Sequence, residues 1–374
     1  MPSRTSKAGV IREHGRFLLA VTALLLLSGV AIALTTDTTA EVKLRQTLGL
    51  DAPCLPSTEE SDGWRAEPSL PAPRDESRAV ALDGSVYLAG GTAKLLEYGR
   101  PSEVPGVREH VRAQSVDELL RFDPRTRRYT RLAPMPERLN HVTMATYRGR
   151  IYVVGGLGDL LFGADVRDEM FEYDPLEDRW RELPPMPTAR GAAAAGVIGD
   201  SLYIAGGIGA GGEIENALER FDFRTRTWQR AAAMPTAREH VAGTVAGGRF
   251  YVLGGRTLRS DSIDVAEVYD PSHDRWRRAA PMPQDAGSLE AAAVDGYVLA
   301  IAGDDDREGW VTGAMQRYDP QSNEWTQLPP MRTKRHGMAA AVVGDRLWTF
   351  GGSPCARFAA SRIVESFDLR LVAR

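Results

Sequence analysis

The chain has 374 residues, of which 43% are hydrophobic and 26% charged, and its formal net charge is −4. This composition is that of a folded globular protein, and the slight acidic excess provides no basic surface for nucleic acid, so no nucleic-acid partner is expected. A single domain of this length is typical of a fold built from repeats.

The N-terminus carries a membrane-targeting pattern. Residues 1–16 form a basic n-region with four Lys or Arg side chains, and residues 17–34 contain no charge. A basic segment before an apolar one predicts a hydrophobic helix whose basic end stays in the cytoplasm. Two forms remain open. Ala31-Ile32-Ala33 offers a signal-peptidase motif, whereas the 18-residue length favours an uncleaved anchor.

Both forms place the rest of the chain on the extracytoplasmic side, membrane-anchored or secreted, with the membrane as a partner if the helix is uncleaved. Residues 35–60 are polar and contain Pro53 and Pro56, which predicts a linker. The folded domain is then expected over residues 61–374.

An aromatic-Asp pair followed by Tyr or Trp six residues after the Asp recurs along this domain. The five complete copies are Asp123/Tyr129, Asp174/Trp180, Asp222/Trp228, Asp270/Trp276 and Asp319/Trp325. A sixth aspartate, Asp368, is followed at that spacing by Arg374, and an extra aromatic, Trp64, opens the series. The pattern predicts that the segment around Trp64 completes the last repeat.

A Gly-Gly pair, degenerate in one copy, follows each aromatic by 26 residues. The six pairs begin at Gly90, Gly155, Gly206, Gly254, Ala302 and Gly351. A period of about 40–50 residues with alternating apolar runs is typical of propeller blades. The sequence therefore predicts an all-β, six-bladed β-propeller, closed when an N-terminal outer strand bearing Trp64 completes the C-terminal blade.

The Gly-Gly, Tyr-Asp-Pro and Trp elements at these offsets resemble the Kelch repeat family over residues 64–374. The resemblance implies a propeller whose innermost strands are rich in Ala and Gly and whose outermost strands pack Trp between blades. It leaves the activity open, because propellers host many unrelated functions.

Length variation falls between the Gly-Gly pair and the Asp, where the spacing is 33, 19, 16, 16, 17 and 17 residues. Variable loops on a constant frame are typical of a binding face. Tyr98, Phe162 and Trp310 are the candidate ligand-binding residues on these loops.

A second candidate set lies before the inner strands. Arg74, Arg190, Arg238 and Arg335 stand sixteen residues before their Gly-Gly pairs, and Glu76, His141 and His240 stand two residues after that position. One hypothesis is a ring of cations and imidazoles at the channel mouth that holds an anionic ligand. In the alternative, the arginines hydrogen-bond the backbone of a neighbouring blade.

The two cysteines, Cys54 and Cys355, are candidates for a disulfide across the ring closure, which an oxidising compartment permits. Two independent thiols are the alternative.

No nucleophile–base pair, metal-ligand spacing or phosphate loop is evident, so we expect no metal and no cofactor. The favoured function is recognition of a protein, peptide or acidic glycan, without catalysis. The alternative, by resemblance to sialic acid mutarotases, is a carbohydrate-active epimerase in which Glu76, His141 or His240 supplies acid–base catalysis.

Overall fold

The structure is a computed structural model that describes residues 58–94, 113–158, 165–260, 262–305, 309–355 and 359–372. The described residues all belong to one compact unit that lies within residues 54–374. The predictions for residues 1–16, 17–34 and most of 35–60 fall outside the described residues, as do those for Cys54, Tyr98 and Phe162.

The described residues form strands throughout, with two short 3₁₀ helices at Ala210–Gly212 and Leu369–Leu371. In chain order the strands are β1 Trp64–Ala66, β2 Arg78–Leu82, β3 Ser85–Ala89, β4 Thr92–Lys94, β5 Ala113–Ser115, β6 Leu119–Asp123, β7 Arg128–Arg131, β8 Thr143–Tyr147, β9 Arg150–Leu157, β10 Val166–Asp174, β11 Arg179–Leu183, β12 Arg190–Gly191, β13 Ala194–Ile198, β14 Ser201–Ala205, β15 Ile208–Gly209, β16 Leu218–Asp222, β17 Thr227–Ala231, β18 Ala242–Ala246, β19 Arg249–Leu253, β20 Ala266–Asp270, β21 Arg275–Arg278, β22 Glu290–Val294, β23 Tyr297–Asp305, β24 Trp310–Asp319, β25 Glu324–Leu328, β26 Ala339–Val343, β27 Arg346–Phe350 and β28 Val364–Asp368.

These strands build six antiparallel four-stranded blades within the described part of the chain. From inner to outer strand the blades are β2-β3-β6-β7, β8-β9-β10-β11, β13-β14-β16-β17, β18-β19-β20-β21, β22-β23-β24-β25 and β26-β27-β28-β1. The predicted six-bladed, all-β propeller is confirmed. Short two-stranded ladders β4-β5 and β12-β15 extend blades 1 and 3.

The ring closes by pairing the two ends of the domain, as predicted. β1 is antiparallel to β28, with Trp64 opposite Phe367 and Ala66 opposite Glu365. The Trp64 indole is 6% exposed and its ring centroid lies 5.3 Å from that of Phe367. Blade 6 therefore takes its outer strand from the opposite end of the sequence.

Each outer-strand aromatic also ties its blade to the blade before it. Trp180 donates its indole N–H to the Ala133 carbonyl at 2.8 Å, and Trp64 does the same to Pro329 at 3.0 Å. The other four pairs are Tyr129 to Pro68, Trp228 to Pro184, Trp276 to Ala232 and Trp325 to Ala280. The repeated aromatic therefore packs apolar surface and satisfies a backbone carbonyl at the same interface.

The hydrophobic core is divided among the blade interfaces. One cluster, for example, joins Leu299 and Met315 of blade 5 to Leu347 and Phe367 of blade 6. The Gly-Gly pairs allow this close approach, since a Cβ on Gly90 would lie 2.4 Å from the Leu139 carbonyl oxygen of the next blade. Each interface is therefore a thin apolar layer between two twisted sheets.

No helix among the described residues is long and apolar enough to cross a membrane. The predicted apolar helix at 17–34 lies outside those residues and stays a prediction.

Truncating the closure residue should destabilise the whole ring. Because Trp64→Ala removes a buried ring and leaves a cavity against Phe367, we expect it to lower the free energy of unfolding by about 3–5 kcal/mol. Urea denaturation followed by circular dichroism measures this. Arg65→Ala on the same strand is the control and should cost at most about 1 kcal/mol, because the Arg65 side chain is 48% exposed. Equal losses for the two variants would contradict closure through Trp64.

Candidate functional site at the channel mouth

The two ends of the propeller are built differently. The loops between second and third strands and the crossings from blade to blade lie at one end, which we call the loop face. The hairpins between first and second strands and the turns between third and fourth strands lie at the other end, the turn face. Aspartates hold the turns of that second face, as when Asp222 accepts the backbone N–H groups of Arg224 and Thr225.

A ring of six residues with left-handed backbone encircles the channel on the loop face. They are Glu76 (φ 49°), His141 (51°), Ala192 (53°), His240 (49°), Ser288 (46°) and Gly337 (58°). These are the positions that the sequence placed two residues after the repeated arginine site. We call them the mouth ring.

Backbone hydrogen bonds link the mouth ring from blade to blade. The N–H of His141 donates to the Glu76 carbonyl at 3.1 Å, and the N–H of Glu76 donates to the Gly337 carbonyl at 2.7 Å. The remaining links are Ala192 to His141, Val241 to Ala192 at 3.5 Å, Ser288 to His240 and Gly337 to Ser288. The bonds circle the channel and fix where the ring side chains point.

In each blade, the residue just before the ring position forms a β-bridge with the residue just after the Gly-Gly pair. The six bridges are Asp75 with Thr92, Asn140 with Leu157, Gly191 with Ile208, Glu239 with Arg256, Gly287 with Asp304 and His336 with Ser353. Polar side chains occur in every bridge except that of blade 3. These bridges add a second polar layer beside the mouth ring.

Three of the predicted arginines are buried inside their blades. Arg238 donates to the carbonyls of Gly254 and Val265 at 2.7 and 2.8 Å and to Glu267 at 3.1 Å, with both charged side chains fully buried. Arg190 and Arg335 pair in the same way with Glu219 and Glu365. These partners lie in the arginine's own blade. The alternative, in which the arginines hydrogen-bond the backbone of a neighbouring blade, is therefore not what these contacts show.

The fourth arginine, Arg74, pairs with Glu118 of blade 1 and is 6% exposed. All four arginines therefore act as clamps that hold the third strand of a blade, or the residue before it, to the entry segment. Arg238 and Arg335 also bond the end of the second strand, through Gly254 and Gly351. Ligand binding by these residues stays a prediction, and the proposals below do not use it.

Glu76, His141 and His240 do come together, as the prediction of a mouth site requires. The Nε2 atoms of the two histidines are 2.9 Å apart, and His141 Nε2 lies 3.2 Å from a Glu76 carboxylate oxygen. The three residues are at most 6% exposed. They come from blades 2, 4 and 1, so the cluster spans the channel.

Burial governs the protonation of this cluster. It lowers the pKa of His141 to about 4 and lowers the pKa of His240 well below its usual value, and Arg256 and Arg78 depress both further. Both imidazoles are consequently neutral at physiological pH. Acid–base catalysis by these residues stays a prediction.

Two arginine–carboxylate pairs flank the cluster. Arg78 of blade 1 pairs with Glu290 of blade 5 across the channel, and Arg256 donates to both carboxylate oxygens of Asp304 at 2.8 Å. A cavity of about 90 Å³ lies along the inner strands and is lined by Arg78, Thr143 and Glu290 among others. Arg78 and Thr143 lie two residues beyond the cluster members Glu76 and His141, so the cavity lies next to the cluster.

Sequence reasoning missed Asn140, Glu239 and Arg256 as members of the mouth. Each of them lies either one residue before a mouth-ring position or one residue after a Gly-Gly pair. A comparison of the six copies at those two positions would have found them, since polar residues recur there.

The structure describes only some of the residues predicted for the loops. Trp310 opens β24 opposite Asp305 and is half-buried at the base of a hairpin on the loop face. Cys355 is disulfide-bonded, but because Cys54 lies outside the described residues its pairing with Cys355 stays a prediction. An exposed apolar residue that the sequence did not single out, Leu258, lies in the blade 4 loop with 84% of its surface exposed.

Comparison with known proteins agrees with the repeat pattern. Residues 143–352, more than half of the chain, match the KLHDC2/KLHL20/DRC7 Kelch-repeats domain. The chain belongs to the Kelch-repeat family. The family assignment accounts for the blade count, the Gly-Gly pairs and the outer-strand aromatics.

Two curated relatives show similarity over part of this Kelch chain. Kelch-like protein terF of Aspergillus terreus is 31% identical over 36% of this chain and 28% of its own length. Kelch repeat and BTB domain-containing protein 12 of Danio rerio is 30% identical over 38% and 23%. The chain thus spans about a quarter of the length of these relatives.

A solved structure, "Structure of YjhT", superposes with a TM-score of 0.63 at 16% identity, covering 80% of this chain and 95% of the other. This likeness shows a shared propeller fold.

The arginine clamps lead to a stability prediction. Arg238→Ala removes the buried cation that pairs with Glu267 and leaves the Thr236 hydroxyl as its close hydrogen-bond donor. We expect a loss of about 3–5 kcal/mol in the free energy of unfolding. Urea denaturation measures it. The double variant Arg238→Met/Glu267→Leu removes both charges and should recover much of the loss. Wild-type stability in the single variant would show that the ion pair is not a clamp.

Proposed function

We propose that this protein is a recognition propeller that binds a protein or peptide across its loop face, on the extracytoplasmic side of the membrane. The observation that carries the proposal is the variation in loop length on this face, where the spacing from the Gly-Gly pair to the Asp ranges from 16 to 33 residues. Loops that vary in length on an otherwise constant frame are typical of a binding face. Leu258, which is 84% exposed, provides an apolar contact on one of these loops.

The loop that presents Leu258 is firmly braced. The backbone of Thr257 and Ser260 pairs across the turn, with the Thr257 N–H 2.8 Å from the Ser260 carbonyl. Below it, the Ser262 hydroxyl bonds the carboxylates of Asp285 and Asp305 at 2.8 and 2.5 Å. A fixed anchor loses little conformational entropy on binding, which favours affinity.

The mouth beneath the loops is already satisfied internally. Its arginines are paired with carboxylates, and its ring side chains are buried. These groups offer little to an acidic peptide or glycan unless the loops above them move, so the outer loop residues are the better contact surface. The variation in loop length between blades supports the same assignment.

The location rests on the basic and apolar segments at residues 1–16 and 17–34. If the propeller is extracytoplasmic, protease added to intact source cells, stripped of any wall, should degrade it while a cytoplasmic marker survives. Immunoblotting against the propeller measures this. Degradation only after lysis would contradict the location.

The binding face can be tested with a matched pair of substitutions. Leu258→Asp lies on the loop face, whereas Leu176→Asp lies in the turn between β10 and β11 on the turn face, where Leu176 is 93% exposed. Loss of a buried anchor typically costs about 2 kcal/mol or more, so Leu258→Asp should weaken partner binding at least roughly 10-fold and leave the melting temperature unchanged.

The measurement is quantitative mass spectrometry of envelope proteins retained by the immobilised full-length chain, followed by affinity measurement for the strongest partner. Wild type and Leu176→Asp should retain the same partner. Equal retention by Leu258→Asp would show that this part of the loop face does not bind it, and a loss with Leu176→Asp alone would place binding on the turn face.

A further inference from the structure

Glu76, His141 and His240 converge at one point of the channel mouth. One ligand-type atom from each lies within 4.8 Å of the others, and all three residues are buried. Each occupies a mouth-ring position, whose left-handed backbone and blade-to-blade hydrogen bonds hold the side chain in place. The chemistry of the set is two imidazole nitrogens and one carboxylate.

The surrounding residues select one tautomer for His141. The Asn140 amide nitrogen donates to the Ser115 hydroxyl at 2.7 Å and to the Gly158 carbonyl at 3.3 Å. This orientation turns Asn140 Oδ1 towards His141 Nδ1, with which it is in hydrogen-bond contact. Because an amide oxygen only accepts, Nδ1 carries the proton and Nε2 presents its lone pair.

The same selection applies to His240. Its Nδ1 contacts the Glu239 carboxylate, which also only accepts, so Nε2 again presents a lone pair. Two Nε2 lone pairs consequently face each other across 2.9 Å, beside a Glu76 oxygen 3.2 Å from His141 Nε2. Such an arrangement is stabilised when a cation lies between the nitrogens.

Supporting groups of this kind are typical of metal sites. A histidine ligand usually donates its second ring N–H to a carboxylate or carbonyl oxygen, which fixes its orientation and raises its basicity. Asn140 and Glu239 occupy that position here. The charges also fit, because Arg78 and Arg256 are paired with Glu290 and Asp304. Glu76 and Glu239 lie beside the proposed ion, and the buried Asp75 is next to Glu76. His336 Nδ1 lies 3.9 Å from Glu76 and 3.4 Å from Asp304.

We propose that Glu76, His141 and His240 bind a divalent transition-metal ion, Zn²⁺ being the natural probe, at the centre of the channel mouth. Three protein ligands of this type leave at least one coordination position for water or for an anionic group of a binding partner. The ion would join blades 1, 2 and 4 directly. Zinc ligands in a tetrahedral site lie about 3.3 Å apart, so the imidazoles need to separate by only a few tenths of an ångström.

The cavity lined by Arg78 and Thr143 lies along the inner strands next to this site. The inference does not depend on the protein partner. Failure of the Leu258 experiment would leave it intact, and the reverse is also true.

Metal binding by the purified full-length chain is the test. After chelator treatment and buffer exchange, Zn²⁺ is titrated by calorimetry and its stoichiometry is measured by mass spectrometry. Co²⁺ is added in parallel, because its visible absorption reports on the coordination. We expect one ion per chain, a higher melting temperature with Zn²⁺, and a Co²⁺ spectrum that shows nitrogen ligation.

The decisive variant is His141→Asn/His240→Asn, since Asn tolerates left-handed backbone while removing both imidazoles. It should weaken Zn²⁺ binding at least about 100-fold and abolish the Co²⁺ bands. His273→Asn is the matched control, because His273 is an exposed residue of the turn face, and it should bind like wild type. Circular dichroism and urea midpoints without metal establish that each variant folds.

A milder variant guards against a folding defect in the double substitution. Glu239→Gln keeps the side-chain shape and the three ligands but weakens the acceptor that orients His240, so it should reduce Zn²⁺ affinity about 10–100-fold with unchanged stability of the metal-free chain. Substoichiometric binding by wild type would overturn the proposal and indicate a shared proton between the histidines. Unchanged affinity in the double variant or in Glu239→Gln would overturn it as well.

Discussion

The structure depends on a constraint at the propeller axis, where one backbone segment from each of the six blades must approach its neighbours within hydrogen-bonding distance. The mouth ring meets this constraint with a left-handed residue in each blade. In five blades the N–H of that residue donates to the ring carbonyl of the blade before it, and in blade 4 the N–H of the following residue, Val241, does so. A non-glycine residue in that conformation costs about 1–3 kcal/mol and persists only where its surroundings enforce it. The closed circle of hydrogen bonds supplies that enforcement.

This arrangement separates the role of the backbone from that of the side chains. Because the backbone at the mouth makes the blade-to-blade contacts, the side chains there differ between blades, being Glu, His, Ala, His, Ser and Gly in turn. Where an arginine stands two residues earlier, as it does in four of the six blades, its side chain is committed to its own blade. Arg238, for example, pairs with the buried Glu267 and donates to the Gly254 and Val265 carbonyls. The arginine and the variable ring residue therefore have different roles on the same short segment.

The sequence predicted the blade count, the strand order and the closure through Trp64 because these follow from spacings that repeat along the chain. It also predicted that Glu76, His141 and His240 share one register position. It did not predict that their side chains meet within hydrogen-bonding distance, because residues 65 and 99 positions apart show no local ligand spacing. The arginines were harder to interpret, since repetition alone does not separate a ligand-binding ring from a buried clamp. In the structure, three of these arginines pair with the buried glutamates Glu219, Glu267 and Glu365.

Closure through β1 has a consequence for biosynthesis. Arg65 and Ser366 are 301 residues apart, so β1 leaves the ribosome first and finds its partner strand last. During that interval the growing arc has an open edge at each end, and its blades can stack on one another but cannot form a ring. An unpaired β28 edge accepts any chain that offers a matching strand, including the β1 of a second copy. Crowded synthesis would therefore favour exchange of the first strand between two arcs, giving a pair of interlocked propellers from the same contacts that close one.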